Sequence, residues 1–326
     1  MQQTAASTTD LLNVDWVKAH LREFHFEATD LTDPALESYR DFYKLKFEKE
    51  IPTLEISIGI REICGYRIAV HFYRQASTAK GMVFLLHGYY DHVGLFNHAL
   101  KALLDTGYSV VTFDLPGHGL SSGERVAIPD FNRYQIVFRQ IQAMFEQEAP
   151  QPWSVVAQST GGAIVIDLVL DLSSRALPVP FKNAVLLAPL IRPRRFSVGR
   201  YIQQVVSPFT NYVKRGFAIN SHNQDFLKFL RTSDPLQSHF LSTQWVGALK
   251  FWVADIESRI PTDYPLMVIQ GQQDGTVEFE HNLKVRRDKF PRMELVLLPT
   301  ARHQLVNESQ ELRQEIFAQM LRRVAR

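Results

Sequence analysis

Cysteine is almost missing from this chain: Cys64 is the only one in 326 residues. A single thiol excludes an intramolecular disulfide and a multi-cysteine metal site. A strong charge of either sign is missing too. The formal net charge is +2, which argues against nucleic acid as a partner. No apolar run approaches the ~20 residues of a membrane span; the longest, Ala163 to Leu170, is short and contains Asp167. The opening MQQTAASTTDLLNVDW has neither a basic nor an apolar region of signal-peptide type, so no secretory signal is expected. A cytoplasmic location is the expectation. No cluster has metal-ligand spacing, and neither a metal nor a cofactor is expected.

What is present is ordinary globular composition, 45% hydrophobic and 21% charged. The length suits two average domains or one large α/β domain with an insertion. Charge is unevenly placed. Residues 1–60 carry 6 Lys/Arg and 11 Asp/Glu, whereas residues 190–259 carry 10 and 4. Two solvated faces explain this, as does mutual docking or an anionic partner.

Residues 10–50 read as helical, with Leu11, Leu12, Trp16, Ala19 and Leu21 at roughly helical spacing. A second helix is signalled by Thr32-Asp33-Pro34 and stopped by Pro52. The period then changes to two. Leu54 to Ile60 and Tyr66 to Phe72 flank Cys64-Gly65, predicting an antiparallel hairpin. From residue 81, short apolar runs alternate with helical patterns. The runs are Met82–Leu86, Tyr108–Phe113, Trp153–Ala157, Asn183–Leu187, Leu266–Ile269 and Glu294–Leu298. Such alternation implies a mostly parallel sheet flanked by helices. Ligand sites in these sheets lie beyond the carboxyl ends of the strands.

Val155-Val156-Ala157-Gln158-Ser159-Thr160-Gly161-Gly162 reads as a strand entering a sharp turn. A nucleophile elbow is written G-x-S-x-G, and Ala157 stands where the first glycine belongs. Alone, Ser159 reads more readily as a helix cap than as a nucleophile. A serine hydroxyl needs a base, and the base an orienting group. Asp274 follows the strand Leu266–Ile269, and His303 follows Glu294–Leu298. Serine, then aspartate, then histidine is the chain order of the α/β-hydrolase triad. An oxyanion needs two convergent N–H donors. Thr160, opening the helix, and Tyr89, in His87-Gly88-Tyr89 after the third strand, are the candidates.

Five segments carry a resemblance: His87-Gly88-Tyr89-Tyr90-Asp91-His92, Asp114 to Ser121, Ser159-Thr160-Gly161-Gly162, Gly271-Gln272-Gln273-Asp274 and His303 to Glu308. Together with Ser233-Asp234-Pro235-Leu236, they resemble the monoacylglycerol lipase and bacterial lysophospholipase branch of the α/β hydrolases, serine aminopeptidase S33-like. The likeness spans roughly residues 55–326. It implies an α/β-hydrolase fold: a mostly parallel eight-stranded sheet flanked by helices, with a helical cap inserted after the sixth strand. The expected parts are a helical extension over 1–50, core over 51–190, cap over 191–260 and core over 261–326. Gln158 and Thr160 depart from the histidine and methionine usual in that branch. His92, His118, Asp91 and Asp114 read as loop-fixing groups. His281, Asp167 and Asp171 are rival acid–base residues on helices.

The resemblance implies ester hydrolysis of a single-chain lipid through an acyl-enzyme. A short-chain esterase, a thioesterase, a proline-type aminopeptidase and a non-catalytic binding protein are the alternatives. Aromatic residues crowd the segment 191–260, which suits an acyl tunnel as well as plain packing. Its mouth is a candidate for peripheral contact with the inner membrane. Arg192, Arg194 and Arg195, with Arg200 nearby, are candidates for an anionic head group.

Overall fold

A computed structural model describes residues 12–75, 79–149 and 153–326; Leu11 lies outside these. Among these residues ten strands occur in chain order: β1 Glu55–Ile63, β2 Tyr66–Arg74, β3 Met82–Leu86, β4 Ser109–Phe113, β5 Trp153–Gln158, β6 Asn183–Leu187, β7 Tyr212–Lys214, β8 Phe240–Ser242, β9 Met267–Gly271 and β10 Glu294–Leu298. The α-helices among them are α1 Val14–His20, α2 Pro34–Phe42, α3 Asn97–Asp105, α4 Asn132–Met144, α5 Thr160–Ser174, α6 Phe196–Val206, α7 Gln224–Thr232, α8 Thr243–Ser258, α9 Phe279–Lys289 and α10 Gln310–Val324.

Eight strands form one sheet in the order β1-β2-β4-β3-β5-β6-β9-β10. Only β2 runs against the others. This is the α/β-hydrolase fold. Strands buried on both faces need apolar residues at every position, and Met82–Leu86 provides them. Met82, Phe84 and Leu86 join one core cluster, while Val83 and Leu85 join the other. The two-residue period of the strand sends alternate side chains to opposite faces. Between β1 and β2, Cys64 and Gly65 both take positive φ, as a two-residue hairpin turn demands.

The N-terminal segment is less helical than its pattern suggests. Asn13 caps α1, and Asp33 caps α2 with Pro34 in its first turn. Between the two helices the chain is extended along β1. Phe24 N–H donates to Ile60 O and Ile60 N–H to Arg22 O, both at 2.8 Å. Phe24 is buried against Phe26 and Phe145. These residues cover the sheet edge, which would otherwise present unpaired backbone groups. Tertiary pairing overrides helical spacing here.

The segment between β6 and β9 carries α6, α7 and α8. It also carries a small antiparallel pair, β7 and β8, of three residues each, so it is not purely helical. It meets the N-terminal segment through aromatic rings rather than ions. Phe229 lies 5.7 Å from Phe42 and 6.3 Å from Tyr43. Tyr43 Oη donates to Asp234 Oδ1 at 2.8 Å. Among the described residues no ion pair links the acidic and basic regions. No helix among them is long and apolar enough to cross a membrane.

Candidate active site

Parallel strands align their carboxyl ends, so the loops after β3, β5, β9 and β10 meet on one side of the sheet. Ser159 ends β5 at φ 51° and ψ −112°. A non-glycine residue at positive φ is uncommon, and such strain clusters at functional sites. What holds the turn is close packing. A Cβ on Gly161 would lie 2.8 Å from His87 O and from Leu86 Cβ. Ala157 is fully buried in β5, between Leu86 and Leu186. Its methyl fits the core without displacing the turn.

Ser159 Oγ lies 3.0 Å from His303 Nε2, and His303 Nδ1 lies 2.7 Å from Asp274 Oδ2. An ionised carboxylate only accepts, so Nδ1 carries the proton and Nε2 is left to accept from the serine. Asp274 is held on every side. Its Oδ1 accepts from the N–H groups of Thr276 and Val277, and its Oδ2 from Gln270 Nε2. Burial alone would raise its pKa, but His303 and these donors hold it below the usual carboxylate value. For His303, burial pushes down while Asp274 and then Asp91 push up, leaving it above an ordinary imidazole.

Gly88 sits against Ser159: a Cβ there would meet Ser159 Cβ at 3.1 Å. Only glycine lets the 87–89 loop approach so closely. Thr160 opens α5, so its N–H has no intrahelical acceptor. Neither this N–H nor that of Tyr89 donates to another described residue. The Tyr89 side chain is engaged elsewhere. Its ring stacks on Trp245 at 3.8 Å, and its hydroxyl donates to Val126 O.

The serine aminopeptidase, S33, family pattern matches residues 77–310. The chain belongs to this family. Monoglyceride lipase from Rattus norvegicus is 25% identical over 64% of this chain and 70% of its own length. Monoacylglycerol lipase from Mycolicibacterium smegmatis is 32% identical over 31% of this chain and 36% of its own. A soluble variant of Saccharomyces cerevisiae monoglyceride lipase, solved with a substrate analogue, superposes with a TM-score of 0.69. That match has 20% identity and covers 82% of this chain and 94% of that one.

The other titratable groups of this S33-family chain have separate partners. His118 Nδ1 donates to Pro116 O, and His92 lies 3.1 Å from Asp234. Asp114 accepts from the N–H groups of Val93 and Leu120. His87 is pushed down to about 3 by burial, and its neutral ring accepts from Leu115 N–H. Asp167 binds Trp252 and Arg259, tying α5 to α8. Asp171 pairs with Arg175, and His281 with Glu257. Among the described residues no cluster could hold a metal ion.

Arg192 pairs with Glu257 at 2.6 Å, while Arg194 and Arg195 are exposed. Arg195 takes left-handed backbone angles as it caps α6. Two clefts, of about 270 and 310 Å³, flank the N-terminal segment; neither borders Ser159. Ser159 is only 8% exposed. The segment between β6 and β9 touches the loops around the site: Asn220 O accepts from Gln304 N–H, and the Trp245 ring stacks on Tyr89.

Sequence reasoning missed Gln270 and Arg286. Gln270 links Asp274 to Arg286, whose guanidinium also donates to Pro189 O. Burial pushes Arg286 down to about 9. A glutamine inside the apolar run Leu266-Met267-Val268-Ile269-Gln270 was the available signal.

Proposed function

We propose that this protein is a serine hydrolase that cleaves the carboxylic ester of a single-chain lipid, of monoacylglycerol lipase or lysophospholipase type. The observation carrying this is Ser159 Oγ at 3.0 Å from His303 Nε2, on a strained turn. Ser159 Oγ attacks the acyl carbonyl. His303 Nε2 takes the hydroxyl proton and gives it to the leaving alcohol. Asp274 fixes the tautomer and stabilises the imidazolium. The N–H groups of Thr160 and Tyr89 receive the oxyanion, a pair whose members each contribute about 10²–10³-fold in turnover. Water, activated by the same histidine, then releases the acid.

The substrate class rests on the family relatives and on the insertion, read as the cap. Pairing of Arg192 with Glu257 weakens the case for an anionic head group there, and the relatives are monoacylglycerol lipases. A neutral monoacylglycerol is therefore the first choice, ahead of a lysophospholipid. The test is turnover of monoolein, lysophosphatidylcholine, p-nitrophenyl esters of graded chain length and a proline arylamide. Monoolein is expected to be cleaved fastest. Cleavage confined to butyrate esters or to the arylamide would sink the lipid assignment.

The cap also offers a membrane-facing side. Val198, Tyr201, Ile202 and Val205 are exposed along one face of α6, at the spacing of an amphipathic helix. Phe209 and Phe251 are exposed at 87% and 73%. Arg194, Arg195 and Arg200 are exposed as well, and suit anionic lipid. The Tyr201→Ser/Phe209→Ser variant is expected to lose most co-sedimentation with anionic vesicles. Its turnover of a soluble short-chain ester should stay within twofold. Unchanged sedimentation would remove this surface from consideration.

A further inference from the structure

Two buried carboxylates act on His303. Asp274 is the obvious one. The other, Asp91, lies in the loop after β3 and is 2% exposed. Its Oδ1 accepts from Gln304 Nε2 at 2.9 Å. Gln304 Oε1 in turn accepts from Gln158 Nε2 at 2.7 Å, and Gln158 Oε1 accepts from Val306 N–H at 3.2 Å. Gln158 precedes the nucleophile and Gln304 follows the base. This buried amide chain therefore joins the elbow, the histidine loop and the loop bearing Tyr89.

A carboxylate with only a structural role normally has both oxygens satisfied when buried. Asp91 Oδ2 has no hydrogen-bond partner among the described residues. It faces the reaction centre: a Cβ on Gly88 would lie 2.9 Å from Asp91 Oδ2 and 3.1 Å from Ser159 Cβ. We propose that Asp91 is a positioning residue, a second carboxylate that favours the protonated form of His303 and is aimed by Gln304 and Gln158. The inference rests on the hydrolase reading above. In the acylation step the Ser159 proton passes to His303 Nε2 and then to the leaving alcohol. Asp91 neither gives nor takes a proton; its negative charge lowers the energy of the imidazolium.

The charged surroundings are few. His303 faces Asp274 and Asp91, with Arg286 behind Asp274 across Gln270. Asp91 is acted on by His303 and His92, the latter held by Asp234. Arg215, stacked on the Tyr90 ring at 3.6 Å, is a cation of the insertion that acts on Asp91. Burial raises the Asp91 pKa, opposed by the Gln304 hydrogen bond and His303. Asp91 in turn pushes the His303 pKa upward.

The test is the pH dependence of the rate at which a fluorophosphonate labels Ser159, which requires no knowledge of the natural ester. Labelling needs neutral His303, so the rate falls as pH drops through the His303 pKa. Asp91→Asn keeps the shape and an acceptor for Gln304 but removes the charge. The acid limb should move to lower pH by about half a unit or more, with the plateau rate down about tenfold. Gln304→Leu should move it the same way, and the double variant no further. An unmoved limb, or one moved to higher pH, overturns the proposal even if the plateau falls. If Asp91→Asn does not fold by circular dichroism, Gln304→Leu decides by the same criterion. Wild-type protein that is not labelled at Ser159 would instead defeat the hydrolase reading itself.

Discussion

Ser159→Ala and His303→Ala will each lower kcat on a monoacylglycerol by about 10⁶-fold, and the double variant will be no slower than either. In the proposed mechanism the two groups act as one device. The serine is then a nucleophile only while His303 Nε2, 3.0 Å away, can take its proton. Remove either, and the other has nothing left to do. Asp274→Asn should cost less, about 10⁴-fold. An asparagine can turn its amide N–H toward His303 Nδ1. The ring proton then moves to Nε2, where it opposes the serine. The fold should survive, because Oδ1 can still accept from Thr276 and Val277 N–H groups. Steady-state kinetics with a circular dichroism control decides the matter. Losses that multiply in the double variant would mean that the two residues act separately.

The second large effect concerns stability. Tyr43→Ala is expected to destabilise the protein by about 3–5 kcal/mol, the usual cost of emptying a buried aromatic site. Tyr43 is 3% exposed. Its ring packs against Tyr39 and edge-on to His92, at 5.2 and 5.0 Å. Its hydroxyl donates to Asp234, which also contacts His92. One residue of the N-terminal segment thus joins the insertion to the loop after β3. Tyr43→Phe keeps the ring and loses the hydrogen bond, for about 1.5–3 kcal/mol at a charged acceptor.

Asp234 adds a pH signature. Burial would raise its pKa, but His92 and Tyr43 hold it below the ordinary aspartate value. A depressed carboxylate adds stability above its unfolded pKa and loses it as pH falls through the folded one. Tyr43→Phe should therefore narrow the difference in stability between neutral pH and pH 3. Urea melts at both pH values measure it. A Tyr43→Ala midpoint equal to wild type would show that the N-terminal segment is not docked as described.

The meeting of Ser159, His303 and Asp274 was legible in the sequence. Ser159, Asp274 and His303 each lie just past a strand whose apolar run is readable, and parallel strands bring those ends together. The sharp turn at Ser159 announced itself through Gly161 and Gly162. What could not be read depends on side chains far apart in the chain. Gln158 stood out only as a departure from a usual histidine; its partner Gln304 emerges when the fold places the two 2.7 Å apart. Tyr43 and Asp234 are separated by 191 positions. Residues 21–29 carry no strong strand pattern; they are extended because β1 offers them an edge. The basic run at 192–200 was visible, but the pairing of Arg192 with Glu257 was not.

Rapid acid quench of the wild-type protein during turnover of a single-chain ester, followed by peptide mass mapping, tests the nucleophile most directly. The peptide containing Ser159 should gain the mass of the acyl chain, and Ser159→Ala should show neither the adduct nor turnover. An acyl group on any other residue, or undiminished turnover by Ser159→Ala, would contradict the mechanism.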